Sequence, residues 1–235
     1  MHLVVASQWM QRLVEQSPLL RQFPLHLIPF GLNLGIFHPG EKLAAKAKLG
    51  LSADRLVIGM RALEGAFKGF EYALKAIELL PADLPIQILT CQRQGMFSRI
   101  DGKFPVRELG EIEGDEAMAE FFHATDIHLM PSMAESFGMM AMEAAACGVP
   151  SVVFDGTPLP DICFAPLGGM AVPRGDANAL SHALYRLATD SGLRQEMGLK
   201  ARELAEINYG FDRYARSMLD VYEQTMASHG ENSRP

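Results

Sequence analysis

Short runs of branched, apolar residues alternate along this chain with longer stretches in which apolar side chains return every three or four positions. LHLIPF (25–30), LVIGMRA (56–62), IQILT (86–90), IHLMPS (127–132) and SVVFDG (151–156) read as strands, and GMAVP (169–173) as a further candidate. Nearly every residue in them is apolar, as in strands covered on both faces. Between them Phe70, Leu74, Ile77 and Leu80 recur at helical spacing, as do Met118, Phe121, Phe122 and Thr125. Continuous apolar strands joined by amphipathic helices predict parallel βαβ crossovers, hence an α/β, doubly wound, Rossmann-like sheet.

The two ends depart from this alternation. From Ala177 to Met226 only helical periodicities remain, the last marked by Phe211, Tyr214, Met218 and Tyr222, a stripe expected to face a core. The opening MHLVVASQWMQRLVEQ (1–16) reads as a strand and a helix, set apart by the loop SPLLRQFP (17–24), like the edge of a larger unit. The expected organisation is therefore an edge or linker at 1–24, one domain at 25–208, a terminal helix at 209–226 and a disordered polar tail at 227–235.

Composition narrows the function. The 235 residues are 49% hydrophobic and 21% charged, enough to bury a substantial core. A formal charge of −7 supplies no global basic field for nucleic acid or an anionic membrane, so any phosphate site must be local. Cys91, Cys147 and Cys163 are odd in number and scattered, which predicts packing thiols in a reducing compartment. The seven histidines show no metal-ligand spacing, and no metal is expected. No run approaches the roughly 20 apolar residues of a membrane span and no signal segment opens the chain, so a cytoplasmic location is expected.

The candidate chemistry lies in AESFGMMAMEAAACGVP (134–150), where Glu135 and Glu143 bracket a glycine and an alanine-rich run. In open parallel sheets ligands bind beyond the carboxyl ends of the strands, and this stretch leaves such a strand for a helix. Ser136 can cap that helix, leaving the amides of Phe137, Gly138 and Met139 free for an anion, with Gly138 allowing close approach. On one continuous helix the two glutamates would stand about 12 Å apart along the axis and about 80° around it, too far to act together on one bond. With Glu135 in the loop and Glu143 one turn into the helix, they would instead flank the anion and grip hydroxyls on either side. That describes a ligand with a polyol, a diphosphate and a second polyol.

PSMAESFGMMAMEAAACGVPSVV (131–153) resembles the signature of family 4 glycosyltransferases, with two glutamates seven residues apart, a Phe-Gly pair and a following Gly-x-Pro turn. LIPFGLNLGIFHP (27–39), RALEGAFKGFEYALKAIELL (61–80) and GGMAVPRGDANAL (168–180) are similar to further segments of that family. The resemblance implies the C-terminal domain of a GT-B architecture, binding the donor half of a retaining glycosyltransferase reaction. The donor is a nucleoside-diphosphate sugar, a UDP- or GDP-sugar, and no further cofactor is implied.

Carried over by position, Arg61 and Lys68 would neutralise the diphosphate and Glu135 would hold the donor sugar, forming the catalytic group. Ser136, Phe137, Gly138, Met139 and Met140 would cradle sugar and phosphate, and Glu143 would hold the ribose hydroxyls. Residues 1–24 would belong to the acceptor-side N-terminal domain, whose glycine-rich loop and histidine have no counterpart here, and 209–226 would cross back towards it. Through a full-length protein, peripheral attachment at the inner membrane face is compatible with this reading. The chain departs from the family pattern at Phe30 and Asn33, where Asn and Asp are usual, at Asp161 of the GTPLPD turn, and in the longer Arg61–Lys68 spacing.

Two other functions are compatible with such a site. A nucleotide-sugar binding module would share the pocket without transfer, and a GT-B sugar-nucleotide epimerase would act on the donor alone. The isolated chain is expected to bind donor nucleotide without appreciable transfer, with residues 2–16 mobile or packed non-natively unless a partner covers their apolar face.

Overall fold

A computed structural model describes residues 1–63, 65, 67–100 and 102–232, with side chains as far as 227. The chain opens with β1 (Leu3–Val5), α1 (Gln8–Gln16) and β2 (Leu25–Leu27), followed by α2 (Lys42–Lys48), β3 (Leu56–Ala62), α3 (Phe70–Leu79) and β4 (Ile86–Gln92). Next come β5 (Val106–Glu108), α4 (Asp115–Ala124), β6 (Ile127–Met130), α5 (Met139–Ala146), β7 (Ser151–Phe154), α6 (Leu159–Ile162) and β8 (Gly169–Val172). Three helices, α7 (Ala177–Thr189), α8 (Ser191–Asn208) and α9 (Phe211–Asn232), end the described chain.

Six strands form one wholly parallel sheet in the order β5-β4-β3-β6-β7-β8. The chain winds outward from β3 to β4 and β5, then returns to place β6 on the other side of β3, so the direction of winding reverses between β3 and β6. Alternate residues of β3 explain why both faces must be covered: Val57 joins one hydrophobic cluster, while Ile58 and Met60 join the other. The expected doubly wound sheet is therefore present, with one further edge strand, β5.

At the amino ends of β3 and β6 the sheet is fixed by charge. Asp126 accepts hydrogen bonds from Lys42 at 2.7 Å and the Val57 amide at 2.8 Å, and the Lys46 ammonium lies 3.0 Å away. Asp126 and Lys46 are both buried, so the pair is sound only while both charges are present.

The strand expected to open the domain at Leu25 belongs elsewhere. β2 pairs with β1 in a separate two-stranded parallel sheet, Leu3 opposite Leu25 and Val5 opposite Leu27. Within residues 2–16, α1 is capped by Ser7, whose hydroxyl accepts from the Met10 amide at 3.2 Å. Val4 and Leu13 remain exposed on this small unit. The terminal stripe also differs: Phe211 and Tyr222 are exposed, whereas Val221 is buried. The tail expected from 227 continues α9 to Asn232, and 233–235 lie outside the described residues.

Candidate functional site

The crevice between the carboxyl ends of β3 and β6 is where this topology places a ligand. Strand alternation supplies the first cation, since Met60 and Ala62 are buried while Arg61, between them, is exposed. No hydrogen bond or ion pair holds its guanidinium among the described residues.

The loop after β3 brings the second. Lys68 precedes Gly69, which begins α3 in the left-handed region at φ 68°, and a Cβ there would lie 1.8 Å from the Pro131 carbonyl oxygen. Only glycine permits that approach. The Phe67 carbonyl then accepts the amides of Met133 and Ala134 at 2.8 and 3.3 Å, locking the loops after β3 and β6 together. Lys68 Nζ consequently donates to Glu135 Oε1 at 2.5 Å, and Ser132 Oγ donates to the same oxygen at 3.0 Å. Arg61, Lys68, Ser132, Glu135 and Met140 line a cavity of about 30 Å³, room for little more than a water.

Two glutamates sit as the sequence predicts, Glu135 in the loop and Glu143 on the second turn of α5. The cap does not. Gly138, at φ 111°, occupies the N-cap of α5, and Ser136 makes no capping bond. A Cβ on Gly138 would meet Leu159 Cδ2 at 2.3 Å, so the residue that opens the helix is set by its packing on α6 rather than by a hydroxyl. The anion-binding character survives. Ala141 and Met142 donate to the Gly138 carbonyl at 3.0 and 3.3 Å, whereas the amides of Phe137, Gly138, Met139 and Met140 have no acceptor among the described residues.

α5 is apolar around its whole circumference except at Glu143, and Ala141, Met142 and Ala144 to Ala146 are buried against the sheet and α8. Glu143 Oε2 is buried without a hydrogen-bond partner among the described residues. Burial first, and the nearby Asp115 carboxylate second, push its carboxyl up to about 7, against the opposing field of Arg61. Glu143 and Met139 line a second, larger cavity of about 720 Å³ with Asn33, Phe37, Asp115 and Asp212. Of the residues expected in one site, Arg61, Lys68, Glu135 and Met140 line one of these cavities, Met139 and Glu143 the other, and Ser136, Phe137 and Gly138 neither. Arg61 acts electrostatically on the second while lining the first.

Asp115, in the first turn of α4, was not singled out from sequence. Its position there alone gives no sign that it faces Glu143. Asp161 makes an ion pair with Arg12 of α1 at 3.5 Å. His128, beneath the first cavity, is fully buried against Ser151 Oγ at 3.0 Å, and burial holds it down to about 3, so it is neutral packing. All three cysteines are buried, which raises their thiols to about 11 for Cys91 and about 12 for the others. Among the described residues no three His, Cys, Asp or Glu side chains are grouped to hold a metal, and no helix is long and apolar enough to cross a membrane.

The switch point of this doubly wound domain thus offers unpaired helix amides, two cations and two acids, groups suited to an anionic ligand that carries hydroxyls. The chain belongs to the family described as glycosyl transferases group 1, whose model matches residues 42–204. A D-inositol 3-phosphate glycosyltransferase of Xylanimonas cellulosilytica is 29% identical over 221 residues, covering 85% of this chain and 51% of the relative. Sucrose-phosphate synthase from Thermosynechococcus elongatus superposes with a TM-score of 0.82 at 27% identity, over 97% of this chain and 59% of that one. Anabaena HepE, solved with UDP and glucose, superposes at 0.81 and 16% identity over 94% of this chain and 62% of that one. The C-terminal domain of a group 1 glycosyl transferase from Francisella tularensis is covered to 99% by 77% of this chain, at a TM-score of 0.67 and 17% identity. The fold is that of a GT-B C-terminal domain, and the chain spans about half the length of the curated relatives it matches.

Proposed function

We propose that this chain is the donor-binding half of a retaining glycosyltransferase that takes a nucleoside-diphosphate sugar. The observation carrying this reading is the run of unpaired amides from Phe137 to Met140 at the start of α5, flanked by Arg61 and Lys68. The diphosphate lies against these amides and cations, Glu143 accepts the ribose hydroxyls, and Glu135 accepts hydroxyls of the donor sugar. The family membership and the UDP-bound HepE neighbour support the same ligand class, with the base left open between UDP and GDP.

In transfer, the bond between the anomeric carbon and the phosphate oxygen breaks, and the nucleoside diphosphate leaves with the electron pair. The acceptor oxygen bonds to the same face of that carbon, and its proton passes to a phosphate oxygen, so configuration is retained. Negative charge grows on the leaving group, and pre-placed amides and cations favour that state over the ground state. The acceptor hydroxyl must be held against the anomeric carbon, an ordering worth roughly 7–11 kcal/mol of barrier. We assign that ordering to an acceptor-binding domain beside the β1–α1–β2 unit, and expect this chain alone to bind donor without appreciable transfer.

Thermal-shift measurements with UDP, GDP, UMP and GMP test the reading. A diphosphate should stabilise the chain more than its monophosphate, with or without chelator. Equal shifts for di- and monophosphates, or shifts abolished by chelator, reject the diphosphate site as described. Turnover of the donor without acceptor would favour an epimerase.

A further inference from the structure

An aromatic ladder runs from the donor loop to the junction between the two sheets. The Phe137 ring, buried beside the free amides, meets Phe30 edge-on at 4.8 Å and Tyr209 at 6.4 Å. Phe30 packs in turn on Tyr214 at 6.5 Å, and Tyr209 stacks on Phe164 at 5.1 Å. Phe30 follows β2, where the chain leaves the small unit for the six-stranded domain, while Tyr209 lies between α8 and α9 and Tyr214 on the first turn of α9. These two segments are joined, because the Leu32 amide donates to the Tyr209 carbonyl at 2.7 Å and Leu32 bridges Gly210.

The ladder also closes on α6. Tyr209 donates its hydroxyl to the Ile162 carbonyl at 2.8 Å, and Leu159 of the same helix packs against Gly138. Arg12 of α1 reaches Asp161 there as well. The donor loop is thus gripped from two sides by groups that also register the position of the β1–α1–β2 unit.

We propose that Phe30 is a positioning residue for the donor: through Phe137 it sets the amides that hold the distal phosphate, and so ties donor affinity to the geometry of the junction. This rests on the diphosphate reading above. Phe30 itself is 41% exposed, so its ring adds little to the core. Edge-on aromatic pairs fix orientation, and their loss loosens the partner ring rather than unfolding the domain.

The test is calorimetric binding of UDP, UMP, GDP and GMP to the whole chain and three variants. Phe30→Ala should weaken the preferred diphosphate roughly three- to tenfold, about the energy of one aromatic pair, while leaving the monophosphate nearly unchanged. Phe30→Tyr should restore the diphosphate preference. Tyr214→Leu, which removes the ring behind Phe30, should narrow the same preference. An unchanged preference in Phe30→Ala overturns the role, as does a loss in Phe30→Ala with none in Tyr214→Leu, which would mean that Phe30 touches the ligand directly. A wild-type chain that binds diphosphate no better than monophosphate rejects the diphosphate site itself, and this role with it.

Discussion

The proton on Glu143 gives the sharpest test of the second cavity. Its carboxyl moves from an ordinary 4.5 to about 7 because burial, and then Asp115, penalise the charge. At about 1.4 kcal/mol for each factor of ten, keeping it ionised in the folded chain costs about 3 kcal/mol. Below pH 4.5 both the folded and the unfolded chain hold the proton, and the full stability is present. Between 4.5 and about 7 the unfolded chain releases the proton while the folded chain keeps it, so stability falls as pH rises and levels off above. Glu143→Gln has no such proton, so relative to the wild type it should gain about 3 kcal/mol between pH 4.5 and pH 8, or roughly 6–12 °C in melting temperature. Urea unfolding of both chains across that range reads the difference, and a flat difference refutes the burial argument. Under the proposed function the ligand would reverse the preference. Ribose hydroxyls would donate to the ionised carboxylate, which is only about a tenth populated at pH 6, so the nucleotide should bind roughly tenfold more weakly there than at pH 8. Glu143→Gln should keep only the titration of the phosphate itself.

Glu135→Gln releases Lys68 from its carboxylate, so free UDP or GDP should bind as well as before or several-fold tighter, while the corresponding nucleotide-sugar weakens; paired calorimetric titrations show whether the two ligands diverge. Gly69→Ala places a methyl on the Pro131 carbonyl in a left-handed backbone, a strain of about 1–3 kcal/mol from conformation alone, and should lower the melting temperature and abolish diphosphate binding together. Asp126→Ala leaves the buried Lys46 uncompensated and should cost about 3–5 kcal/mol in denaturant unfolding, whereas a loss below 1 kcal/mol would show that Lys46 finds water.

The sequence was most legible where burial is two-sided. β3, β4, β6, β7 and β8 follow their apolar runs within a few residues because both faces of the sheet are covered. β5, with Arg107 and Glu108 in three residues at the sheet edge, gives no such run. Of LHLIPF only Leu25–Leu27 is strand, and it is half-buried to exposed rather than covered on both faces, because it pairs with β1 in the small sheet, a partner that periodicity does not report. The same limit holds in the site. The order of Glu135, Phe137, Gly138 and Glu143 located the loop and helix, but Ser136 failed as a cap because Gly138 takes a left-handed conformation against α6, a contact from a later part of the chain. Asp115 was invisible for a related reason: its effect on Glu143 arises only when α4 packs beside α5.

The arrangement of charges also distinguishes the two cations, which sequence treats alike. Lys68 already holds a carboxylate at 2.5 Å in a cavity with hardly more than a water's space. A phosphate taking its place exchanges one anion for another, so much of the Coulomb gain is offset by releasing Glu135. Arg61 has no partner among the described residues to surrender, and its field also reaches Glu143. A diphosphate bound as proposed would therefore gain its net electrostatic attraction chiefly from Arg61 and the amides of Phe137 to Met140. Lys68 acts differently. Under the proposed function it would leave Glu135 when phosphate arrives, freeing that carboxylate for the sugar hydroxyls. Parting of the ion pair would then couple phosphate capture to sugar recognition. The coupling requires the two loops to stay together as Lys68 moves, which the amides of Met133 and Ala134 on the Phe67 carbonyl ensure without using either charged side chain.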